Sequence, residues 1–332
     1  MNVLCLNCRG CGGYAAIQEI HQLVEIYKPK MIFLSETKMY ARRAESLRWR
    51  LGFENAFGVD CTNTRGGGLV IYWTNELNVQ LKGYNKSCID VWISDDSGGE
   101  DWRFTGFYGE PKRQLRKESW RLLKFLRHSS NLAWICAGDF NEVTIAEEYF
   151  RRNDWEEWQI DGFREAIEYC NFSDLGYSGL PYTWDNRHEG DNNVKARLDR
   201  ALADEKFLDR FGKSSITHIQ LAQSDHCGLL IKIATSLHPK AGVQGPCYQF
   251  KYENMWRRDP SYFQLVNSSW IPMGHNMQDI GNALENMKVA LPSWSYNSFG
   301  SVRGELKKLR ARLEKMRDKR LYSGPTSKRE IY

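Results

Sequence analysis

Polar side chains with catalytic potential lie at the ends of four hydrophobic segments, each short enough to be a β-strand. These side chains are Asn7, Glu36, the pair Asp139 and Asn141, and the pair Asp225 and His226. Strand ends are rigid positions from which folds present catalytic groups. Carboxylate and amide oxygens are suitable ligands for Mg²⁺, which commonly also binds a substrate phosphate oxygen. A histidine beside them can donate a hydrogen bond to that phosphate, and an aspartate can accept a proton from water.

Each of these features has a simpler structural explanation when it is taken alone. Glu36 by itself would be a solvated residue at a strand end, as most glutamates are exposed. Asp225 and His226 could form a cap or a turn, and residues 138–141 could form an Asx turn. The occurrence of all of them together, in order and in strand context, favours a functional site.

The elements that would position these side chains alternate between strands and helices. Runs of aromatic and β-branched residues predict strands at 31–34, 67–73, 102–108 and 132–137. Apolar residues spaced by three and four predict helices at 17–27, 120–126 and 161–170. Short strands separated by turn residues predict a sheet-rich sandwich of the α/β or α+β class.

The composition is that of a globular protein, since 42% of the 332 residues are hydrophobic and 26% are charged. This balance excludes a wholly disordered chain. No apolar run approaches the ~18–20 residues of a membrane span, and the first residues lack the basic region and cleavage site of a signal peptide. With no secretory signal, the nine scattered cysteines are expected to be reduced thiols of an intracellular protein.

The positive charge is concentrated at the end of the chain. The formal net charge is +5, but residues 1–235 contain 30 Lys/Arg and 33 Asp/Glu. Residues 301–332 contain 11 Lys/Arg and 4 Asp/Glu, so the basicity belongs to this tail. We predict a domain over residues 1–235, a Pro- and Gly-containing linker at 236–250 and a basic helical extension at 251–332. Within the extension, an apolar stripe from Val302 to Met316 indicates a helix that could contact a protein partner.

Two further patterns leave alternatives open. Cys5, Cys8 and Cys11 form a CxxCxxC run, but a closed zinc site needs four ligands and no second CxxC or HxxxH follows. Buried thiols are therefore the favoured interpretation. Trp155 and Trp158 could stack on unpaired bases or belong to the core, and the core is favoured.

Taken together, the motifs resemble the endonuclease/exonuclease/phosphatase superfamily over about residues 1–235. The matching positions are Asn7, Glu36, Tyr108, the segment Gly138-Asp139-Phe140-Asn141, the segment Arg197-Leu198-Asp199 and the segment Ser224-Asp225-His226. Shorter motifs resemble the endonucleases of plant LINE-type non-LTR retrotransposons, and they are Leu6–Gly10, Leu34–Lys38, Gly66–Leu69, Leu180–Trp184 and Ala196–Leu202. The resemblance implies a four-layer α/β/β/α sandwich of the deoxyribonuclease I type, with the site at the mouth between its two sheets and a C-terminal helical extension.

The resemblance also implies which residues bind the metal and the substrate. Glu36 would bind a divalent cation, Mg²⁺ or Mn²⁺, with Asn7 and Asp225 near it. Thr183 and Trp184 would lie on a loop beside the DNA, and we include Arg197 among the expected substrate-binding residues.

The catalytic roles follow from the same resemblance. Asp139 would orient or deprotonate the attacking water, and Asn141 would hold both Asp139 and the phosphate. Tyr108 would donate a hydrogen bond to the phosphate. His226 would stabilise the charge on pentacovalent phosphorus, with its ring fixed by Asp199.

One residue that differs from the family pattern, and the lack of a polymerase motif, bear on the expected function. Arg9 stands where many apurinic/apyrimidinic endonucleases have an aspartate, which makes repair of abasic sites a less favoured function. No Tyr/Phe-x-Asp-Asp sequence of a polymerase occurs, so the chain is expected to be a fragment or an isolated copy.

Our leading hypothesis is a Mg²⁺-dependent DNA endonuclease that nicks one strand, acting in the nucleus rather than the cytoplasm and without a membrane partner. The first alternative is an inactive remnant that binds nucleic acid or a protein. The second is a phosphatase of the same superfamily, acting on an inositol phosphate or a lipid head group.

Overall fold

The chain divides into two units, Met1–Pro246 and Cys247–Tyr332. The computed structural model describes residues 1–63, 66–94, 99–150, 155–234, 256, 259–270, 286–287, 290–291, 293–295, 297–298 and 312. The predicted linker 236–250 lies outside the described residues, as does the predicted basic helix apart from Arg312.

Fifteen strands and seven α-helices have both ends within the described part of the chain, and residues 286–287, 290–291, 293–295, 297–298 and 312 are also helical. The strands are β1 (Asn2–Asn7), β2 (Met31–Ser35), β3 (Asn55–Asn63), β4 (Gly66–Trp73), β5 (Val79–Asn85), β6 (Cys88–Ile93), β7 (Trp102–Tyr108), β8 (Ala133–Asp139), β9 (Tyr149–Phe150), β10 (Phe172–Asp174), β11 (Trp184–Asp185), β12 (Lys195–Ala196), β13 (Asp199–Asp204), β14 (Ser215–Ile219) and β15 (Gly228–Lys232). The helices are α1 (Tyr14–Tyr27), α2 (Ala41–Ser46), α3 (Arg48–Leu51), α4 (Arg116–His128), α5 (Glu157–Tyr169), α6 (Glu205–Phe211) and α7 (Pro260–Ser269). All four strands and all three helices that hydrophobic patterning predicts are present, with boundaries shifted by a few residues.

Two six-stranded sheets organise the first unit. The first sheet has the order β14-β15-β1-β2-β4-β3, and the second has the order β10-β13-β8-β7-β6-β5. Strands β1 and β2 are parallel, with Asn7 opposite Ser35, so Asn7 and the following Glu36 emerge at one edge. Strands β7 and β8 are also parallel and place Tyr108 opposite Asp139, while antiparallel β13 places Asp199 opposite Asp139.

The inner faces of the sheets form the central core, and helices cover the outer faces. Along β1, Val3 and Cys5 point into the core between the sheets, whereas Leu4 and Leu6 pack under α1, α2 and α3. Helices α4 and α5 cover the outer face of the second sheet with a separate cluster that includes Trp134. Because both faces of each sheet are buried, β1, β2 and most of β4 and β8 are apolar on both faces, whereas β7 contains Arg103 and Thr105, which are also buried. The predicted four-layer α/β/β/α sandwich is confirmed.

A glycine allows the two sheets to approach closely at their centre. Gly106 on β7 faces the ring of Phe33 on β2, and a Cβ atom at Gly106 would lie 2.3 Å from that ring. A methyl group there would overlap the ring, so the pair defines how closely the two sheets pack.

A small third sheet is formed by strands that lie between β8 and β13 in the sequence. It has the order β11-β12-β9, and β11 and β12 form a hairpin over residues 184–196. Trp184 on this hairpin also forms a bridge with His226. The hairpin is therefore attached to the segment that carries the candidate catalytic histidine.

The described part of the second unit contains α7 and an aromatic cluster. The side chain of Asp259 accepts a hydrogen bond from the Ser261 backbone at the start of α7, which is favourable capping. Trp294 packs against Trp256 and Tyr262 and donates its indole N–H to the Ser261 hydroxyl at 2.8 Å. No helix within the described residues has the length and apolar character needed to cross a membrane.

Candidate active site

Asn7 joins the two sheets at the centre of the candidate site. Its side chain is buried, and Nδ2 donates a hydrogen bond to Asp139 Oδ2 at 2.9 Å. The same nitrogen lies 3.4 Å from Glu36 Oε1 and 3.4 Å from His226 Nε2. The Oδ1 atom accepts a hydrogen bond from the Arg9 backbone N–H, which orients the amide. Side chains from four distant parts of the sequence therefore meet around one amide nitrogen.

His226 is held on both sides by carboxylates. Its Nδ1 lies 2.8 Å from Asp199 Oδ2, and its Nε2 lies 3.9 Å from Asp139 Oδ2. Burial favours the neutral ring, but the Asp199 and Asp139 carboxylates outweigh it and raise the pKa of His226 to about 9. At neutral pH the imidazole is therefore protonated, and each ring nitrogen carries a hydrogen to donate.

Asp139 is a buried carboxyl with a strongly perturbed acidity. Burial raises the pKa of Asp139 to about 7, against the opposing effect of protonated His226. The Asn141 backbone N–H donates to Asp139 Oδ1 at 2.8 Å, and Asn141 Nδ2 donates to Oδ2 at 3.3 Å. A carboxylate with a pKa near 7 is well matched to exchange protons with water at neutral pH.

The strand that carries Asp139 ends in a backbone conformation that requires glycine. Gly138 has a φ of +141°, and a Cβ atom there would lie 2.2 Å from the carbonyl oxygen of Phe107. Glu36 and Asn141 also have left-handed φ angles, of 51° and 54°. Such conformations cost of order 1–3 kcal/mol for residues with side chains and tend to occur at functional sites.

Tyr108, at the end of β7 in the second sheet, contacts Glu36, which follows β2 in the first sheet. The Tyr108 hydroxyl donates to Glu36 Oε1 at 2.8 Å. Burial and the Glu36 carboxylate raise the pKa of Tyr108 well above its ordinary value, so the phenol remains a hydrogen-bond donor. Glu36 itself is partly exposed.

Asp225 has one satisfied and one unsatisfied carboxylate oxygen. Its Oδ2 accepts a hydrogen bond from Trp184 Nε1 at 2.9 Å and pairs with the Arg9 guanidinium. Its Oδ1 is buried and has no hydrogen-bond partner among the described residues. A buried carboxylate oxygen without a donor is costly, and a cation would satisfy it.

Two groups of residues could hold a metal ion. Asp139, Asp199 and His226 place potential ligand atoms within 4.8 Å of one another, but His226 Nδ1 and Asp199 Oδ2 already bond to each other. Glu36 and Asp225 offer carboxylate oxygens of the hard type that Mg²⁺ prefers. Taken one at a time, the partly exposed Glu36 carboxylate and the unsatisfied Oδ1 of Asp225 are better suited to a divalent cation than the internally bonded side chains of the trio.

The structure places two of the three expected substrate-binding side chains inside the protein. Thr183 is 1% exposed, and its hydroxyl accepts hydrogen bonds from the backbone N–H groups of Leu198 and Asp199. Arg197 is 6% exposed and pairs with Glu148 and Asp174. Both side chains organise the start of β13. Thr183 and Trp184 also line a cavity beside the site.

Arg200 extends this buried charge network. It is fully buried and pairs with Glu148 and Asp174. Although burial opposes ionisation, Arg200 holds the pKa of Glu148 below its ordinary value. The network joins the segments after β8 and β10 to strand β13, and so supports the strand that presents Asp199.

Two side chains of opposite charge, Glu19 and Arg187, bind backbone groups of the loop that precedes Asp225 and His226. The Glu19 carboxylate on α1 accepts hydrogen bonds from the backbone N–H groups of Ala222 and Gln223. Arg187, on the β11–β12 hairpin, donates to the carbonyl oxygens of residues 221, 222 and 224. Motif comparison did not indicate Glu19 or Arg187, because their partners are 34 or more residues away in sequence. The Ser224 hydroxyl completes the support by donating to the Asn7 carbonyl at 2.6 Å.

A cavity of about 910 Å³ opens beside His226. Its lining combines aromatic side chains, among them Phe150, Tyr182 and Trp184, with cationic side chains such as Lys195. The cavity is large enough for a nucleotide-sized group.

The three cysteines of the CxxCxxC run are buried and carry free thiols. Within the described residues they belong to no group of potential metal ligands. Trp155 is partly buried and donates to Glu142 at 3.0 Å, whereas Trp158 is 42% exposed. The predicted core position therefore agrees better with Trp155, which is partly buried, than with Trp158, which is exposed.

Several solved structures have a fold similar to that of this chain. The chain is similar to the endonuclease domain of TRAS1, a telomere-specific non-LTR retrotransposon, with 16% identity, a TM-score of 0.53, and coverage of 70% of this chain and 97% of that chain. It is similar to an AP endonuclease from Archaeoglobus fulgidus, with 16% identity, a TM-score of 0.55, and coverage of 70% and 99%. It is also similar to a 3′ phosphatase from Neisseria bound to a product DNA hairpin, with 14% identity, a TM-score of 0.55, and coverage of 70% and 99%.

At these identities the solved structures establish the deoxyribonuclease I-type fold. No curated protein matches the chain. A family model described as the endonuclease/exonuclease/phosphatase family matches residues 1–226, about two thirds of the chain. The chain therefore belongs to the endonuclease/exonuclease/phosphatase family and is a hydrolase acting on phosphodiester bonds.

Proposed function

We propose that this protein is a Mg²⁺-dependent endonuclease that nicks one strand of DNA and leaves a 3′-hydroxyl end. The observation that carries the proposal is the convergence of Asp139, His226 and Glu36 on the Asn7 amide. This arrangement combines a proton acceptor, a proton donor and a partly exposed carboxylate within one small site. Each of these groups can contribute to metal-assisted hydrolysis of a phosphodiester.

We assign to Asp139 the role of orienting or deprotonating the attacking water. The Asp139 pKa of about 7 lets this carboxylate accept a proton near neutral pH. Hydrogen bonds from Asn7 and Asn141 fix the carboxylate, so that its orientation does not depend on the substrate. We assign Asn141 and Tyr108 to contacts with the scissile phosphate.

His226 is the group we assign to the negative charge that develops on the phosphate. Its Nδ1 hydrogen is directed to Asp199, which leaves the Nε2 hydrogen facing the Asn7 and Asp139 side chains. A protonated imidazole at that position can donate to a phosphate oxygen. Thr183 and Arg197 then act as positioning residues for Asp199, and Trp184 is the expected DNA contact among the three.

Glu36 and Asp225 are the residues we expect to hold Mg²⁺, with Mn²⁺ as the other candidate. When bound, the cation would polarise the phosphate and neutralise negative charge. The support for this assignment is the partly exposed carboxylate of Glu36 and the unsatisfied Oδ1 of Asp225. Asn7 is better placed to orient Asp139 than to bind the cation, since its amide oxygen accepts from Arg9.

The proposal also includes DNA as the substrate and an origin in a retrotransposon. They are supported by the LINE-like motifs and by neighbours named as a retrotransposon endonuclease domain, an AP endonuclease and a phosphatase bound to DNA. In a complete element, the 3′-hydroxyl at the nick would prime reverse transcription.

A plasmid-nicking assay tests the proposal. Supercoiled DNA should become open-circular in Mg²⁺ and remain intact in EDTA, and a polymerase should extend the nicked strand directly. Asp139→Asn and His226→Gln should abolish nicking, whereas Arg121→Ala, an exposed arginine on α4, should not. If the wild type nicks no faster than these two variants, the endonuclease proposal is wrong, and the absence of any phosphoesterase activity would favour the inactive remnant. Metal-dependent release of phosphate from inositol phosphates without nicking would instead identify the phosphatase.

A further inference from the structure

A dense group of positive charge lies immediately after Glu36. Residues 38–50 contain five Lys/Arg and one Glu, although residues 1–235 as a whole have a slight excess of acids. We call the group Tyr40, Arg42, Arg43, Arg48, Trp49 and Arg50 the arginine surface. It occupies α2, α3 and the residue before α2.

The side chains of the arginine surface are largely open to solvent. Trp49 is 66% exposed and Tyr40 is 63% exposed. The Arg48 guanidinium lies 4.6 Å from the centre of the Trp49 ring. Arg42, Arg43 and Arg50 are exposed, and none of them forms an ion pair with a residue that the structure describes.

The nearby carboxylates have other hydrogen-bond partners. Glu45 accepts from the Gly58 backbone N–H at 2.8 Å. Asp60 accepts from the Ala41 backbone N–H at 2.7 Å. Both acids therefore fasten α2 to the sheet instead of pairing with the arginines, and the positive charge of the surface is left for an external partner.

The backbone under the arginine surface is firmly anchored. Ala44, Leu47 and Leu51 are buried in the core beneath α2 and α3. The hydroxyl of Tyr72 on β4 donates to the Ala44 carbonyl at 2.6 Å. A rigid base reduces the entropy that the surface loses on binding.

The arginine surface adjoins the candidate active site through the segment that follows Asn7. A Cβ atom at Gly10 would lie 3.3 Å from the Lys38 side chain, and one at Gly12 would lie 3.8 Å from the Arg43 guanidinium. Gly10 also donates its backbone N–H to the Glu36 carbonyl at 2.8 Å. A polyanion held at the active site could thus continue onto these arginines.

We propose that the arginine surface binds single-stranded nucleic acid. Guanidinium groups pair with phosphates, and exposed aromatic rings stack on unpaired bases, which a duplex keeps inside its own stack. The inference deepens the proposed function, because a nick allows one strand to separate from its complement. Binding itself does not require cleavage.

Binding measurements in EDTA test the proposal without any cleavage. The full chain is titrated into a fluorescein-labelled oligothymidylate of 15 nucleotides and into a duplex of the same length. The triple variant Arg42→Ala/Arg43→Ala/Arg50→Ala should weaken single-strand binding about tenfold or more, and should make the slope of log affinity against log salt shallower by about 2. Trp49→Ala should weaken single-strand binding about tenfold and affect duplex binding much less. The basic tail contributes equally to every variant.

Control variants distinguish binding by the arginine surface from non-specific attraction to positive charge or aromatic side chains elsewhere on the protein. Arg121→Ala/Arg164→Ala removes two exposed arginines from α4 and α5, and Phe125→Ala removes an aromatic side chain that is 70% exposed. Neither control should change single-strand affinity more than about twofold. The proposal is overturned if the triple variant behaves like its control, or if Trp49→Ala weakens duplex binding as much as single-strand binding. The nicking assay gives a separate result, so the loss of one function does not imply the loss of the other.

Discussion

The Nδ1 atom of His226 lies 2.8 Å from Oδ2 of Asp199, and both side chains are buried. Asp199→Asn preserves the shape but removes the charge that supports the imidazolium. We expect the pKa of His226 to fall and the nicking rate to drop by at least about a hundredfold. NMR titration of the His226 ring and single-turnover nicking measure the two effects. An unchanged His226 pKa in this variant would show that Asp199 does not set the charge of the ring.

The charge of His226 also predicts how stability depends on pH in the absence of metal. Because its pKa is raised from 6.5 to about 9 in the folded protein, its contribution is complete below pH 6.5 and is lost as the pH rises through about 9. The difference in unfolding free energy between the wild type and His226→Gln should therefore shrink across this interval. Urea denaturation in EDTA at pH 6, 7.5 and 9 measures it. A constant difference would contradict the prediction.

Gly138→Ala should destabilise the protein and misplace Asp139. The new methyl group would meet the Phe107 carbonyl oxygen on a backbone that L-residues rarely adopt. We expect a loss of about 3 kcal/mol in the free energy of unfolding, with nicking reduced even where the variant is folded. Gly83→Ala is the matched control, since a Cβ atom there meets nothing within 4 Å. Equal losses in the two variants would refute the argument from close approach.

Arg187→Ala should loosen the loop that precedes the catalytic histidine. Arg187 donates to the carbonyls of residues 221, 222 and 224, so its removal leaves three acceptors without their donor. We expect faster hydrogen exchange of the Ala222 and Gln223 amides and a fall in kcat of about tenfold. Arg187→Lys should restore part of the activity, and Arg164→Ala on the exposed face of α5 should change neither measurement.

Arg200→Ala should be among the most destabilising single changes in the first unit. It would leave Glu148 and Asp174 with one cation fewer inside the protein. Breaking a buried ion pair in this way typically costs 3–5 kcal/mol, whereas Arg121→Ala, whose pair is exposed, should cost less than about 1 kcal/mol. Chemical denaturation of both variants compares them directly. A loss below about 1 kcal/mol for Arg200→Ala would mean that water solvates the network.

The elements of the sandwich could be predicted because their patterns are local. The apolar segment before Asp139 and the glycine at 138 indicate a strand that ends in a special backbone conformation, and both are present. Contacts such as that between Asn7 and Asp139, which are 132 residues apart, depend on how two sheets pack, and hydrophobic patterning contains no information on that.

Two differences from expectation have the same physical origin. Thr183 and Arg197 belong to motifs expected beside DNA, yet both side chains are buried and form their bonds within the protein, with residues 15 to 49 positions away in sequence. The sequence motif indicates only that Arg9 replaces an aspartate of related enzymes, whereas the structure shows that it pairs with Asp225, 216 residues later in the chain. Pairing of charges over such distances emerges only once the strands are arranged in space.

The close contact of Gly106 with Phe33 has a consequence for the chemistry. Asn7 and Glu36 belong to one sheet, and Tyr108, Asp139 and Asp199 belong to the other, so the site exists only while the two sheets keep their spacing. Substitutions that thicken the central core, far from any reacting atom, would separate the two halves of the site before they unfold the domain. We therefore expect the distance between the sheets to affect the catalytic rate, so that core residues that never touch the substrate would contribute to function as well as to stability.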